Sequence, residues 1–398
     1  MNLIIRTWIS TLLGISLIYG CSSDKGNVNL VNASADQISY NFHVRPILSD
    51  NCFACHGPDE NKREAGLRLD MAESAFAALK ENPGAHAIVP GKPADSEVVK
   101  RLETTDEPEM MPPPESNLKL TAEEVAIIKK WIKQGAEYQP HWAFVPPVKS
   151  DLPKVSDADW VQHDIDHFIL ARLDQLGLKP NPVADKMHLL KRLSIDLTGL
   201  PPGLELMQAY REDESPEATE KIIDRLLESP AFGERMAVLW MDISRYSDSY
   251  GYQDDNIRTQ WPYRDWVIHA FNENMPYDQF ITWQLAGDLL PDPSKEQILA
   301  TAFNRNHKYT EEGGVIPEEY RVEYNVDKTN TFSKAILGMT VECAQCHDHK
   351  YDPISQENYF QMYAFFNNTP EKGYEGDVSI SKPAKHPIMW VEHDDLDG

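Results

Sequence analysis

Two short runs constrain this chain more than anything else in it. Cys52-Phe53-Ala54-Cys55-His56 and Cys343-Ala344-Gln345-Cys346-His347 share one spacing, and together they use four of the five cysteines. Two thiols on a single helical turn can add to the two vinyl groups of a porphyrin, and a histidine directly after the second thiol then falls beneath the iron as its proximal ligand. The pattern predicts covalent haem c at both places, so the fold must enclose two large apolar rings, each with its iron. Three other readings compete. A thioredoxin-like dithiol needs a βαβ context that neither run has. A zinc site shared by pairs nearly 290 residues apart departs from the local spacing of structural zinc motifs. Chance is the third. With 13 His in 398 residues, a given position holds His about one time in thirty, which does not account for two together.

The amino terminus speaks to the compartment. After Arg6, the uncharged run Thr7 to Gly20 is too short to cross a bilayer, which takes about 20 apolar residues, but it fits the core of a signal peptide over residues 1–20. Ile18-Tyr19-Gly20-Cys21 has the form of a bacterial lipobox, with Tyr19 bulkier than that pattern prefers. This predicts lipidation of Cys21, a polar tether over 21–38, and a lipid anchor as the only link to a membrane. The competing reading is an ordinary cleaved signal with a stray cysteine. Either way the expected location is extracytoplasmic, in a bacterial periplasm or at the cell surface. The charge balance, 38 Lys+Arg against 63 Asp+Glu for a net −25, excludes a nucleic-acid binder, because no stretch clusters the bases that phosphate binding requires.

Residues 39–137 read as a module around the first run. Phe42, Val44, Ile47 and Leu48 form an apolar helical approach, with Pro46 marking a first turn or a kink. Thr121-Ala122-Glu123-Glu124 is a capping box, followed by Val125, Ile127, Ile128, Trp131 and Ile132 at helical spacing and Gly135 as the stop. Helix, haem motif, irregular middle and closing helix make a small cytochrome c-like domain. A sixth ligand is expected from Met110-Met111-Pro112-Pro113-Pro114. A thioether favours reduced iron, and Met111 directly precedes the stiffening prolines; Met110 stands in reserve, His86 competes, and both methionines could simply pack in the core.

Prolines at 140, 146, 147 and 153 mark a linker over 138–160, and helical periodicity resumes in a larger domain, 161–370, before a polar tail, 371–398. Helices are expected near 231–246, 262–274, 276–290, 318–338 and 355–366, with no strand alternation of comparable length, so the fold class is mainly α. Only 51 residues follow His347, which predicts a second haem embedded in this helical domain. His349 is too close in sequence to serve as its sixth ligand, which leaves His307, Met339, Met362, His386 and Met389. Between Trp240 and Asn256, Asp242, Arg245, Tyr246, Asp248, Tyr250, Tyr252, Asp254 and Asp255 form a dense polar cluster. It reads as a site for a sugar, a cation or a haem propionate held by Arg245, or as a helix end with a buried Asp–Arg pair and a solvated loop.

Several longer motifs carry a resemblance. Val44-Arg45-Pro46-Ile47-Leu48, the first cysteine run with Gly57-Pro58, Gly66-Leu67-Arg68-Leu69-Asp70 and Met111-Pro112-Pro113 with Trp131-Ile132-Lys133-Gln134-Gly135-Ala136 are similar to the planctomycete-type cytochrome c family. So are Asp196-Leu197-Thr198-Gly199-Leu200-Pro201-Pro202, Trp240 to Tyr246, Arg264-Asp265-Trp266, Gln284 to Asp288 and Cys343 to Lys350. The resemblance covers roughly residues 40–370. It implies a cytochrome module followed by an uncharacterised helical domain carrying the second motif, and it supplies no reaction. Relatives usually continue into a third large domain, a continuation absent here after Asp397-Gly398. The expected function is electron transfer to or from a redox partner protein, a basic one suiting the charge. The alternatives are a haem oxidoreductase acting at the second iron and an accessory surface-binding protein.

Overall fold

The computed structural model describes residues 37–253, 255–376 and 385–392. The expected signal peptide, Cys21 and most of the tether lie outside the described residues, as do Asp254 and much of the tail. The described residues are helical, with three isolated β-bridges and no strand among them, in keeping with a mainly α fold. Two compact units divide the chain. The first extends to Val145 and takes in Lys350–Pro353; the second comprises Pro146–His349 and the residues from Ile354 onward.

In the first unit, a π-helical turn, Tyr40–Val44, runs directly into α1, Arg45–Asn51, and α2, Phe53–His56, follows at once. The register change falls at Pro46, which has no N–H to offer, and the Arg45 N–H reaches back to the Tyr40 carbonyl five residues away. Val44, Ile47 and Leu48 are buried, whereas Phe42 faces out. Short helices α3, Ala72–Phe76, and α4, Glu97–Glu103, lead to the closing helix α5, Ala122–Lys133. Its capping box forms as predicted, Thr121 accepting from Glu124 N and Glu124 accepting from Thr121 N. Ile127, Ile128, Trp131 and Ile132 of α5 pack against the Tyr40–Val44 turn. Packing extends beyond the Gly135 stop: Tyr138 lies tilted against Tyr40 at 4.6 Å and edge-on to Trp131 at 5.1 Å, and its hydroxyl donates to the Leu69 carbonyl at 2.9 Å. Arg45 lies over the Phe53 ring and donates to the Tyr351 carbonyl of this unit's outlying segment.

The second unit is built of helices α6 to α15. α6, Asp164–Gln175, is followed by α7, Lys186–Thr198, α8, Leu204–Glu212, and α9, Ala218–Leu227, which share a core of Leu190, Tyr210, Ile222 and Leu226. α10, Pro230–Ile243, packs on α7 and on α11, Trp261–Asn272; α12, Tyr277–Ala286, and α13, Lys295–Ala300, complete an aromatic core. There Trp266 stacks on Phe280 at 5.4 Å, and the buried Trp240 indole donates to Gln284 at 2.8 Å, so its N–H is satisfied. α14, Pro317–Phe332, continues through a π-helical turn, Ser333–Leu337, to a left-handed Gly338, and α15, Gln356–Phe366, packs on α14. The segment read as a polar tail contributes to this core. Glu371 and Lys385 are buried, and Gly373 lies where a Cβ would come within 1.8 Å of the Pro317 carbonyl, so only glycine fits.

Candidate haem sites

At the first motif, Cys52 caps α2, and its carbonyl accepts from Cys55 N at 3.1 Å and His56 N at 2.8 Å. All three functional side chains therefore leave one helical turn, as addition to a single porphyrin requires. Gly57 follows because a Cβ there would meet the Phe53 carbonyl at 2.3 Å. The loop beyond is tied back by Glu64 N to Cys55 O and Leu69 N to His56 O, both 2.8 Å.

The ionisation at this turn separates the competing chemistries. Burial, with a smaller contribution from Cys55, pushes the Cys52 thiol up to about 12. A redox dithiol relies on a cysteine whose pKa is depressed, so this environment opposes the thioredoxin-like reading. Burial also holds His56 below its ordinary value, hence neutral, and its Nδ1 is buried with no hydrogen-bond partner. A neutral ring has a lone pair to offer iron, and with both thiols on the same turn the residues present fit a covalent haem. Among the described residues, no three His, Cys, Asp or Glu side chains converge as a metal site, and the four cysteines here are free thiols.

Met111 lies in the loop after α4, half-buried, with its N–H on the Arg101 carbonyl at 3.0 Å. The Arg101 guanidinium is itself close enough to act on His56 electrostatically. One residue thus links the methionine loop to the surroundings of His56. His86 is engaged otherwise: its Nδ1 donates to the Phe76 carbonyl at 2.8 Å, within a turn bridged to Ala78 and Ser96.

The second motif begins in the 3₁₀ turn Glu342–Gln345, with Cys346 as its C-cap and His347 just beyond. Ala344 is buried with Val341, Ile354 and Tyr359, while Cys343 and Cys346 are exposed on the same turn. The start of α15 fastens it: Gln356 N donates to Asp348 Oδ1 at 2.9 Å, and the Gln356 side chain donates to the Gln345 carbonyl at 3.0 Å. His347 Nδ1 donates to the Asp348 carbonyl at 2.7 Å, which places the ring's lone pair on Nε2, the tautomer of a metal-ligating imidazole.

The sixth-ligand candidates here differ sharply. His307 is buried with Nδ1 facing the Lys308 carbonyl and Nε2 facing Glu371, both at 2.6 Å, so each nitrogen is turned to an oxygen acceptor; burial lowers its pKa and Glu371 opposes the shift. Met362 sulfur accepts from Ser333 at 3.3 Å, His386 faces Glu375 at 3.2 Å, and Met389 packs near Lys295 and Glu296. Met339 packs against the Val341 and Ala344 cluster beside the motif.

The polar segment after Trp240 resolves into a helix end with an Arg–Asp pair whose partner the sequence did not suggest. Arg245 Nε binds Asp327 of α14 at 2.6 Å, while Asp242 is solvated and Asp255 accepts from Gly251 N at 2.7 Å. Beside it lies a group of buried charges that sequence reasoning missed. Glu371 bridges His307, Arg305 at 2.7 Å and Lys328, while Lys385 pairs with Glu311 at 2.9 Å. Arg258 lies among four backbone carbonyls, those of Ser247, Arg305, Asn306 and His307.

Comparison with known proteins places both units. Among curated proteins and among solved structures nothing matches the chain. A family model described as "Planctomycete cytochrome C" matches residues 52–115, which span the first cysteine motif and Met111. A second, described as "Protein of unknown function (DUF1549)", matches residues 164–371, more than half of the chain, including the second motif. A c-type haem turn in one unit and the uncharacterised helical domain in the other make this chain a member of the planctomycete-type cytochrome c family.

Proposed function

We propose that the protein is an exported, lipid-anchored di-haem cytochrome that transfers electrons outside the cytoplasm. The observation that carries this reading is the same Cys-x-x-Cys-His spacing in both units, borne on the helix Phe53–His56 in one and on the turn Glu342–Gln345 and the two residues after it in the other, with His347 Nδ1 on the Asp348 carbonyl. Haem supplies an iron that changes oxidation state. The chain's residues do the rest: Cys52 and Cys55 tether one ring, Cys343 and Cys346 the other, His56 and His347 supply proximal nitrogens, and Met111 supplies a thioether to the first iron. The uncharged run before Cys21 supports export.

Haem stoichiometry tests it. Haemochrome spectra and intact mass are expected to give two covalent haems in the wild type and one after Cys343→Ala, Cys346→Ala and His347→Ala together. A single haem in the wild type would sink the di-haem reading. A second reading, catalysis at the second iron, is favoured by the engagement of His307 and Met362 elsewhere. Cyanide or carbon monoxide binding at that haem would support it, and inertness would remove it.

A further inference from the structure

Two charged side chains act on His56 in opposite senses: Glu64 favours a proton on the ring, and Arg101 disfavours one. Each is tied by its backbone to a different half of the first site. Glu64 N donates to the Cys55 carbonyl at 2.8 Å, within the cysteine turn, and the Arg101 carbonyl accepts from Met111 N at 3.0 Å, in the methionine loop. Neither tether involves the side chain, so either charge can be removed with the backbone bonds kept.

The surroundings of the two charges differ. Arg101 stands at the edge of the core face of α4, where Val99 is buried and Val98 and Leu102 pack on the first unit's core. It is half-buried, and its Nη1 reaches only the Glu109 carbonyl, at 3.4 Å. Asp106, Glu107 and Glu109 follow it in the same loop and are exposed, yet among the described residues no carboxylate pairs with Arg101. Lys100, its neighbour on α4, pairs with Glu97 on the exposed side. Glu64 is exposed, so solvent and salt screen it more than they screen the half-buried Arg101.

We propose that Arg101 and Glu64 set the reduction potential of the first haem, Arg101 raising it and Glu64 lowering it by less. The inference rests on the reading of Cys52, Cys55 and His56 as a haem site. On oxidation one electron passes to the redox partner and the iron keeps one more positive charge. The field of Arg101 opposes that charge, just as it opposes a proton on His56, and the field of Glu64 favours it.

Redox titration of the full, haem-loaded chain tests this, the first haem being the signal that remains when Cys343, Cys346 and His347 are replaced. Arg101→Gln should shift its reduction equilibrium about tenfold toward the oxidised form, about 59 mV for one electron, the order of one unit charge acting through protein rather than water. Arg101→Lys should recover most of the shift, and Glu64→Gln should move the equilibrium the other way by less. Lys100→Gln, which removes the same charge from the exposed side of α4, should leave it unchanged. Equal shifts from Lys100→Gln and Arg101→Gln would reduce the effect to net charge and overturn the proposal, as would shifts under about twofold, or about 18 mV, in both Arg101→Gln and Glu64→Gln. Loss of the iron–thioether absorption band of the oxidised haem in Arg101→Gln would overturn it too, because the residue would then act by placing Met111. If Arg101→Gln fails to take up haem, Glu64→Gln decides alone, and no rise in potential sinks the proposal. Absence of haem from Cys52 and Cys55 in the wild-type mass would overturn the cytochrome reading and this inference with it, whereas a loaded haem indifferent to both charges overturns this inference alone.

Discussion

Met111 and Met110 are adjacent and both half-buried, yet Met111 alone has its backbone on Arg101 and its side chain next to the first of three prolines. If its sulfur completes the first iron, Met111→Ala should lower that haem's reduction potential by the order of 0.1 V, a modest part of the roughly 0.8 V that axial ligands span. Met110→Ala should leave it unchanged in the same redox titration. Glu371 permits a stability test. Burial alone would raise its pKa, but His307, Arg305 and Lys328 outweigh burial and hold the carboxyl well below the usual carboxylate range. A carboxyl depressed in the folded state contributes stability that is complete above its unfolded value and lost as pH falls through the folded one. Urea unfolding of the helical unit should therefore weaken below about pH 4.5, the ordinary carboxyl value. Glu371→Gln should remove that part of the acid sensitivity and cost about 3–5 kcal/mol near neutrality, because Lys328 and Arg305 are left uncompensated. Lys328→Met in the same chain should restore part of the loss.

At the scale of elements, α5 shows why some of this structure could be read in advance. Thr121, Glu124 and the 3.6-residue recurrence of Ile127, Ile128, Trp131 and Ile132 are local signals, and cap and buried face both follow from them. Thr121→Ala should cost about 1 kcal/mol of first-unit stability, measured by chemical denaturation. The first cysteine turn, inside the stretch matched by the cytochrome family model, was legible for a related reason: covalent haem attachment asks for a fixed local spacing. Periodicity was less informative at α6, where Ile165, Phe168, Ile169 and Leu173, with Leu176 at the cap, recur at helical spacing, although all but the half-buried Leu173 are exposed and Leu170 is the residue it buries. The stripe identifies the helix but not what covers it. Partners distant in sequence were not legible at all. Arg245 finds Asp327 on α14, and Glu371 gathers Arg305, His307 and Lys328 from two other segments, so a residue read as the start of a polar tail is the centre of a buried ion cluster. Composition places charges on surfaces; only tertiary contact reveals the few that go inside.

For the whole molecule, the expected consequence of the amino terminus is physical attachment. Cys21→Ser should move the protein from the detergent phase to the aqueous phase on extraction of cells while leaving its haem content unchanged, and a membrane fraction unaltered by the substitution would remove the lipid anchor from the proposal. Electron exchange with a basic partner should slow as ionic strength rises, since a net charge of −25 attracts at long range and salt screens it. The protonated Cys52 thiol bears on the life of the molecule before it is finished. Oxidants attack thiolates, and a sulfur held near pKa 12 supplies almost none. A chain not yet loaded with haem would therefore keep this sulfur reduced whatever oxidant reaches the turn.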